Sequence, residues 1–189
     1  MKTSKPRIAP LAEGEWTDEQ AKVLSRFKGK NHDFGTGLVY NVIGTLANHW
    51  EAYKKFGVWG NHVLGETSSL PPREREILIL RIGWLCQAEY EWGQHVLIGK
   101  QAGLTDEEIA RINDGPDAPG WDAFDATLLR AADELRADAF ISDKTWNALA
   151  ERYNKHQLMD VVFAVGQYNM VSMALNSFGV QLDDGVKGF

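Results

Sequence analysis

The sequence predicts an all-α fold, and three observations carry that reading. Apolar residues recur at helical spacing in one segment after another. No stretch keeps a period of two beyond a few residues, so strand signals are missing. Finally, the run LMDVVFAVGQYNMVSMALNSF (158–178) is apolar nearly all round, which in a globular protein marks a helix buried in the fold or in a subunit interface.

The elements follow in order. Residues 1 to about 16 read as an extended arm punctuated by Pro6, Pro10 and Gly14. Thr17 and Gln20 have capping-box spacing for a short helix whose buried edge is Leu24 and Phe27. Residues 29–37, GKNHDFGTG, form a loop by composition, and LVYNVIGTLAN (38–48) returns to helical spacing. Asn48 is expected to cap a helix over about 50–64 that stops at Gly65. Pro71 and Pro72 open the next helix, since a first turn has no partner for their missing N–H groups. A break is expected around Gly83 to Gln87, with a second helix from near Glu89 to a glycine cap at Gly103. Thr105 to Glu108 is another capping box, NDGPDAPG (113–120) an exposed loop, and 122–137 an amphipathic helix. Ser142 is an N-cap for a helix carrying Trp146 and Leu149, and the long apolar helix runs over about 157–178. This divides into residues 1–37 (arm, short helix and loop) and a helical domain over 38–189, one domain overall.

Composition narrows the function. With 44% hydrophobic and 24% charged residues the chain is an ordinary globular protein. A net charge of −6 gives no reason to expect nucleic acid or an anionic membrane as partner. The first residues lack the apolar core of a secretory signal, and Gln167, Asn169 and Ser172 interrupt the most apolar run, so a cytoplasmic location is expected. One cysteine, Cys86, allows neither an intrachain disulfide nor a cysteine-rich zinc site.

The chemistry gathers in LPPREREILILRIGWLCQAEYEWGQHVLIGKQAG (70–103). Glu91 and His95 are four apart and share a helix face, and Glu76 lies on the helix before. An imidazole between carboxylates suits proton transfer, because its ordinary pKa lies near working pH. His95 is the expected proton donor, with Glu91 orienting its ring and Glu76 as a second acid/base or orienting group. Tyr90 and Trp92 are candidates to line a pocket. Arg81, with Arg73 and Arg75, is a candidate cation for an anionic substrate. Asn61, His62, Gln167, Tyr168, Asn169 and Asn176 are polar groups on apolar helices, either satisfied core residues or pocket lining; His32, His49 and His156 are expected to be solvated. Glu91 and His95 have the spacing of two metal ligands, but no fourth group joins them and Glu76, so neither metal nor cofactor is expected.

The stretch LPPREREILILRIGWLCQAEYEWGQHVLIGKQAGLTDEEI resembles the carboxymuconolactone decarboxylase family, which includes alkylhydroperoxidase D-like proteins. NHWEAYKKFGVWGNHVL and SDKTWNALAERYNKHQLMDVVFAVGQYNMVSMALNSFGVQL add weaker support. The resemblance implies an all-helical fold assembled as a trimer or hexamer. It also brings the peroxidase branch's motif, Cys-x-x-Cys-x-x-x-His with an upstream glutamate. Aligned on His95, its cysteines fall on Ala88 and Glu91 and its glutamate on Glu76. Two-cysteine peroxide reduction needs a thiolate and a resolving thiol, and this chain lacks both at those positions. The expected function is therefore decarboxylase-like acid/base chemistry, decarboxylation or isomerisation, on a small organic acid or lactone. Alternatives are a peroxide reductase using Cys86 with an external thiol and a non-catalytic helical oligomer that binds a small ligand.

Overall fold

The computed structural model describes residues 2–28 and 39–189; the loop expected over 29–37, the start of the following segment and His32 lie outside them. The described residues hold nine α-helices and no strand: α1 Asp18–Leu24, α2 Asn41–Leu46, α3 Trp50–Leu64, α4 Pro72–Leu85, α5 Glu89–Gln101, α6 Asp106–Asp114, α7 Ala123–Asp138, α8 Asp143–Ala150 and α9 Lys155–Phe178.

Most boundaries sit where side chains supply the missing hydrogen bonds. Thr17 and Thr105 cap α1 and α6 in capping boxes with Gln20 and Glu108. Ser142 caps α8, and Asn154 caps α9, which ends at Gly179 in the left-handed region. Asn48 does not cap α3. Its amide reaches back to Ala9 O (2.9 Å), and His49 takes the cap position, Nδ1 accepting from Ala52 N at 3.4 Å. The helix expected over 38–48 is shorter, because α2 gives way to a 3-10 turn at Ala47–His49.

α4 is the hub, packed against α5, α7 and α9. Ile77, Leu78, Ile79, Leu80 and Ile82 are fully buried, each contributing roughly 1.5–3 kcal/mol by leaving water. The helix also buries four charged residues, Glu74, Arg75, Glu76 and Arg81, and such groups need partners. Glu74 accepts from Tyr153 and Arg152, and Arg81 is bound to Asp133. Gly83 lies inside α4 rather than at a break. A Cβ there would come 3.3 Å from Glu91 Cγ, so glycine makes room for the facing helix. The break comes at Cys86–Ala88, where Gln87 adopts φ 51°.

α9 buries one face through Val161, Ala164, Val165, Tyr168 and Leu175. The other presents Met159, Val162, Met170 and Met173 to solvent. By length and composition α9 could cross a membrane, but 56% of its most apolar window is buried inside the fold.

Candidate active site

The α4–α5 pairing brings Glu76, Glu91 and His95 together. His95 Nδ1–H donates to Glu76 Oε2 at 2.6 Å, and Glu76 is fully buried. His95 Nε2, on the opposite side of the ring, lies 3.2 Å from Glu91 Oε1. That approach lacks hydrogen-bond geometry, and Glu91 Oε1 is sealed from solvent with no hydrogen-bond partner among the described residues. The edge of the Tyr168 ring meets the imidazole, with centroids 4.7 Å apart.

These contacts divide the roles differently from the sequence expectation. Of the two readings of Glu76, the hydrogen bond to Nδ1 matches the orienting one, and Glu91, expected to orient the ring, makes no hydrogen bond to it among the described residues. Because the carboxylates hold opposite nitrogens, the imidazole separates them and the three do not converge on one ion. Among the described residues no cluster of three His, Cys, Asp or Glu side chains is arranged for a metal.

Electrostatics follows from burial. Desolvation disfavours charge on His95, but the Glu76 charge and hydrogen bond, helped by Glu91, outweigh it and hold the imidazole above its ordinary pKa. Desolvation pushes Glu91 up to about 7, with His95 pulling down and Glu76 pushing up. Burial, together with the charges of Glu91 and Glu76, raises Tyr168 well above the ordinary phenol value.

Glu91 and His95 line a cavity of about 530 Å³ between α2, α3, α5 and α9. Its walls are mainly apolar and aromatic, including Ile43, Phe56, Leu64, Ile98, Val171 and Leu175. Of the polar residues on apolar helices, Asn61, Gln167 and Tyr168 line it. His62 instead contacts Asp160 (3.3 Å), while Asn169 and Asn176 bind Cys86. Tyr90 lines the cavity as expected, its hydroxyl donating to Asp183 and accepting from Val42 N at 3.3 Å. Gln94 also lines it and donates to Asp183 (2.8 Å). Neither Gln94 nor Asp183 stands out in the sequence: Gln94 has the one local signal of lying three residues after Glu91 on the same helix, and Asp183, far along the chain, has none.

The remaining candidates, Trp92, Arg81 and Cys86, with Arg73 and Arg75, lie outside this lining. Trp92 is not part of the lining; it packs with Trp84 and Phe189 at centroid distances of 5.6 and 5.8 Å. Arg81 is spent on structure: Nε and Nη2 grip Asp133 at 2.6 and 3.1 Å, and Nη1 donates to Ile112 O and Asn113 O. Arg73 is likewise held by Asp125 and Glu108, and Arg75 lies against Glu76 (3.5 Å). Cys86 lies outside the lining, its thiol donating to Asn169 Oδ1 at 3.2 Å.

Comparison with known proteins supplies the relatives. Residues 46–134 match the model of the carboxymuconolactone decarboxylase family. An uncharacterized peroxidase-related protein from Silicibacter sp. TM1040 superposes with TM-score 0.78 at 20% identity, over 98% of this chain and 93% of that one. Another such protein, from Ralstonia eutropha JMP134 and described as an alkylhydroperoxidase AhpD core, gives 0.80 at 17%, over 94% and 93%. The debrominase Bmp8 gives 0.74 at 11%, over 96% and 95%. At these identities the likeness is one of fold. No curated protein matches the chain.

Proposed function

We propose, for a chain whose residues 46–134 match the carboxymuconolactone decarboxylase family and whose fold is AhpD-like, that it is an enzyme moving protons on a small carbonyl compound or lactone with its own side chains. The observation that carries this is the Glu91–His95 pair on the cavity wall, in which burial raises Glu91 to about 7 and the Glu76 carboxylate holds His95 above its ordinary value, so that a carboxylate and an imidazolium face each other. Ionised Glu91 takes a proton from the carbon next to the carbonyl, breaking C–H and forming the carboxyl O–H. His95 Nε2–H donates to the carbonyl oxygen, so an enol forms rather than a free enolate. Glu91 then returns its proton to a carbon further along the conjugated system, and the enol hydroxyl gives its proton back to His95. The net result is isomerisation, with no atom gained or lost.

Glu76 makes this cycle possible without touching substrate. Its hydrogen bond keeps a proton on Nδ1, so the proton that protonated His95 gives up is the one on Nε2. Isomerisation is preferred to decarboxylation because no lysine or arginine among the described residues lines the cavity to hold a substrate carboxylate. The peroxide-reductase alternative gains nothing from Cys86, whose thiol is engaged by Asn169 outside the cavity. The exposed apolar residues of α9 support assembly with further copies of the chain.

The test is deuterium incorporation from solvent into a panel of cyclic ketones and unsaturated lactones, followed by NMR. The wild type is expected to catalyse exchange. Glu91→Gln and His95→Ala should each lose at least a hundredfold, while Cys86→Ser keeps the rate. Undiminished exchange in His95→Ala, or its loss in Cys86→Ser alone, overturns the reading.

A further inference from the structure

The cavity is large enough for a ring-sized guest, and its lining sets the charge that guest can carry. Glu91 and His95 are its only Asp, Glu, Lys, Arg or His residues among the described ones; its other polar groups are tyrosines and side-chain amides. All three arginines of α4 that begin or cross this region are committed elsewhere, to Asp125 and Glu108, to Glu76, and to Asp133. Glu91 Oε1, buried and without a hydrogen-bond partner among the described residues, lacks a donor. The residue as a whole borders the cavity, so a guest that donates to the Glu91 carboxyl is favoured over one that leaves it unpaired. A carboxylate in the same place would add a negative charge to a group in which the two carboxylates of Glu76 and Glu91 already outnumber the single imidazole of His95, with no lysine or arginine among the described lining residues to offset it.

We propose that the site binds an uncharged, largely apolar molecule of ring size that presents a hydroxyl, N–H or carbonyl group to Glu91 and His95, and that it rejects a carboxylate of the same shape. This rests on the proton-transfer reading only in taking Glu91 and His95 as the reacting pair. The apolar character extends past the first cavity. Val42, Leu46, Phe56, Val171 and Leu175 also wall a second one, of about 350 Å³, that reaches Ile8 and Met170. A hydrocarbon or aromatic extension on the guest therefore meets further apolar surface.

The test uses 2-naphthamide and 2-naphthoate, which have nearly one shape and differ in charge, titrated calorimetrically into the full chain at pH 8. Naphthamide is expected to bind at least tenfold more tightly than naphthoate. In Glu91→Gln that ratio should fall toward one, because naphthoate gains once the facing carboxylate is gone. Equal or tighter binding of naphthoate by the wild type, failure of both probes to bind at millimolar concentration, or an unchanged ratio in Glu91→Gln overturns the assignment. A preference for naphthoate alongside His95-dependent solvent exchange sinks the uncharged guest and leaves proton transfer standing. Exchange that ignores His95, with naphthamide still preferred, does the reverse.

Discussion

Replacing Glu76 by glutamine keeps the shape of the side chain and removes one buried charge, so it isolates what that charge does. In the wild type Glu76 is fully buried, accepts from His95 Nδ1 at 2.6 Å and lies 3.5 Å from Arg75 Nε. Its charge is what holds His95 above its ordinary value of about 6.5 against the opposing effect of burial. In Glu76→Gln desolvation wins, and the imidazole should titrate below 6.5. The amide oxygen still accepts from Nδ1–H, but Arg75 loses its carboxylate. Breaking a buried ion pair from one side costs about 3 kcal/mol, at the lower end of the usual range because that hydrogen bond survives. For a chain of this length that is a fall of roughly 6–12 °C in Tm. The pH dependence has a definite sign. A raised imidazole pKa contributes stability that is fully present below about 6.5 and is lost as pH rises through the folded value. The deficit of Glu76→Gln should therefore be largest in acid and shrink toward alkaline pH. Proton NMR of the His95 ring gives the titration, and urea unfolding across pH gives the stability. An unchanged His95 midpoint in Glu76→Gln refutes the claim that this carboxylate sets the charge state of the imidazole.

Two further outcomes are expected. Glu91 titrates near 4.5 when unfolded and about 7 when folded, so the native state holds a proton that the unfolded chain releases, and wild-type stability falls as pH rises across that window. At about 1.36 kcal/mol per unit the loss amounts to about 3 kcal/mol, and Glu91→Gln should be more stable than wild type by about that much above pH 7, with little difference below pH 4.5; a pH-independent difference in urea unfolding contradicts this. Light scattering should give a multiple of the 21.2 kDa chain mass, since α9 exposes Met159 at 51% and Met173 at 55%; a monomer at tens of micromolar contradicts assembly through that face.

Local chemistry was readable in the residues themselves. Thr17, Thr105 and Ser142 cap the helices they were expected to cap, because a cap depends on three or four adjacent residues. The i, i+4 placement of Glu91 and His95 and the opening of α4 at its prolines were legible for the same reason. What local spacing left open was which neighbours each helix face meets. Trp92 is one residue from Glu91, yet the hundred-degree step of a helix turns it toward Trp84 and Phe189. Arg81 looked available until α6 and α7 folded over it. Which carboxylate hydrogen-bonds the ring turns on which ring nitrogen each one meets, which spacing does not encode. Gly83 reads as punctuation in the sequence, whereas in the fold it leaves space for Glu91 across a helix pair.

The most direct measurement is the titration of the Glu91 carboxyl itself, by the carbon-13 shift of its side-chain carboxylate, assigned by its disappearance in Glu91→Gln. A group poised to take and return a proton at neutral pH should show a midpoint of about 7. In His95→Ala it should move higher, because the imidazole pulls it down. A midpoint near 4.5 would make Glu91 a permanently ionised carboxylate and contradict the proton-transfer account.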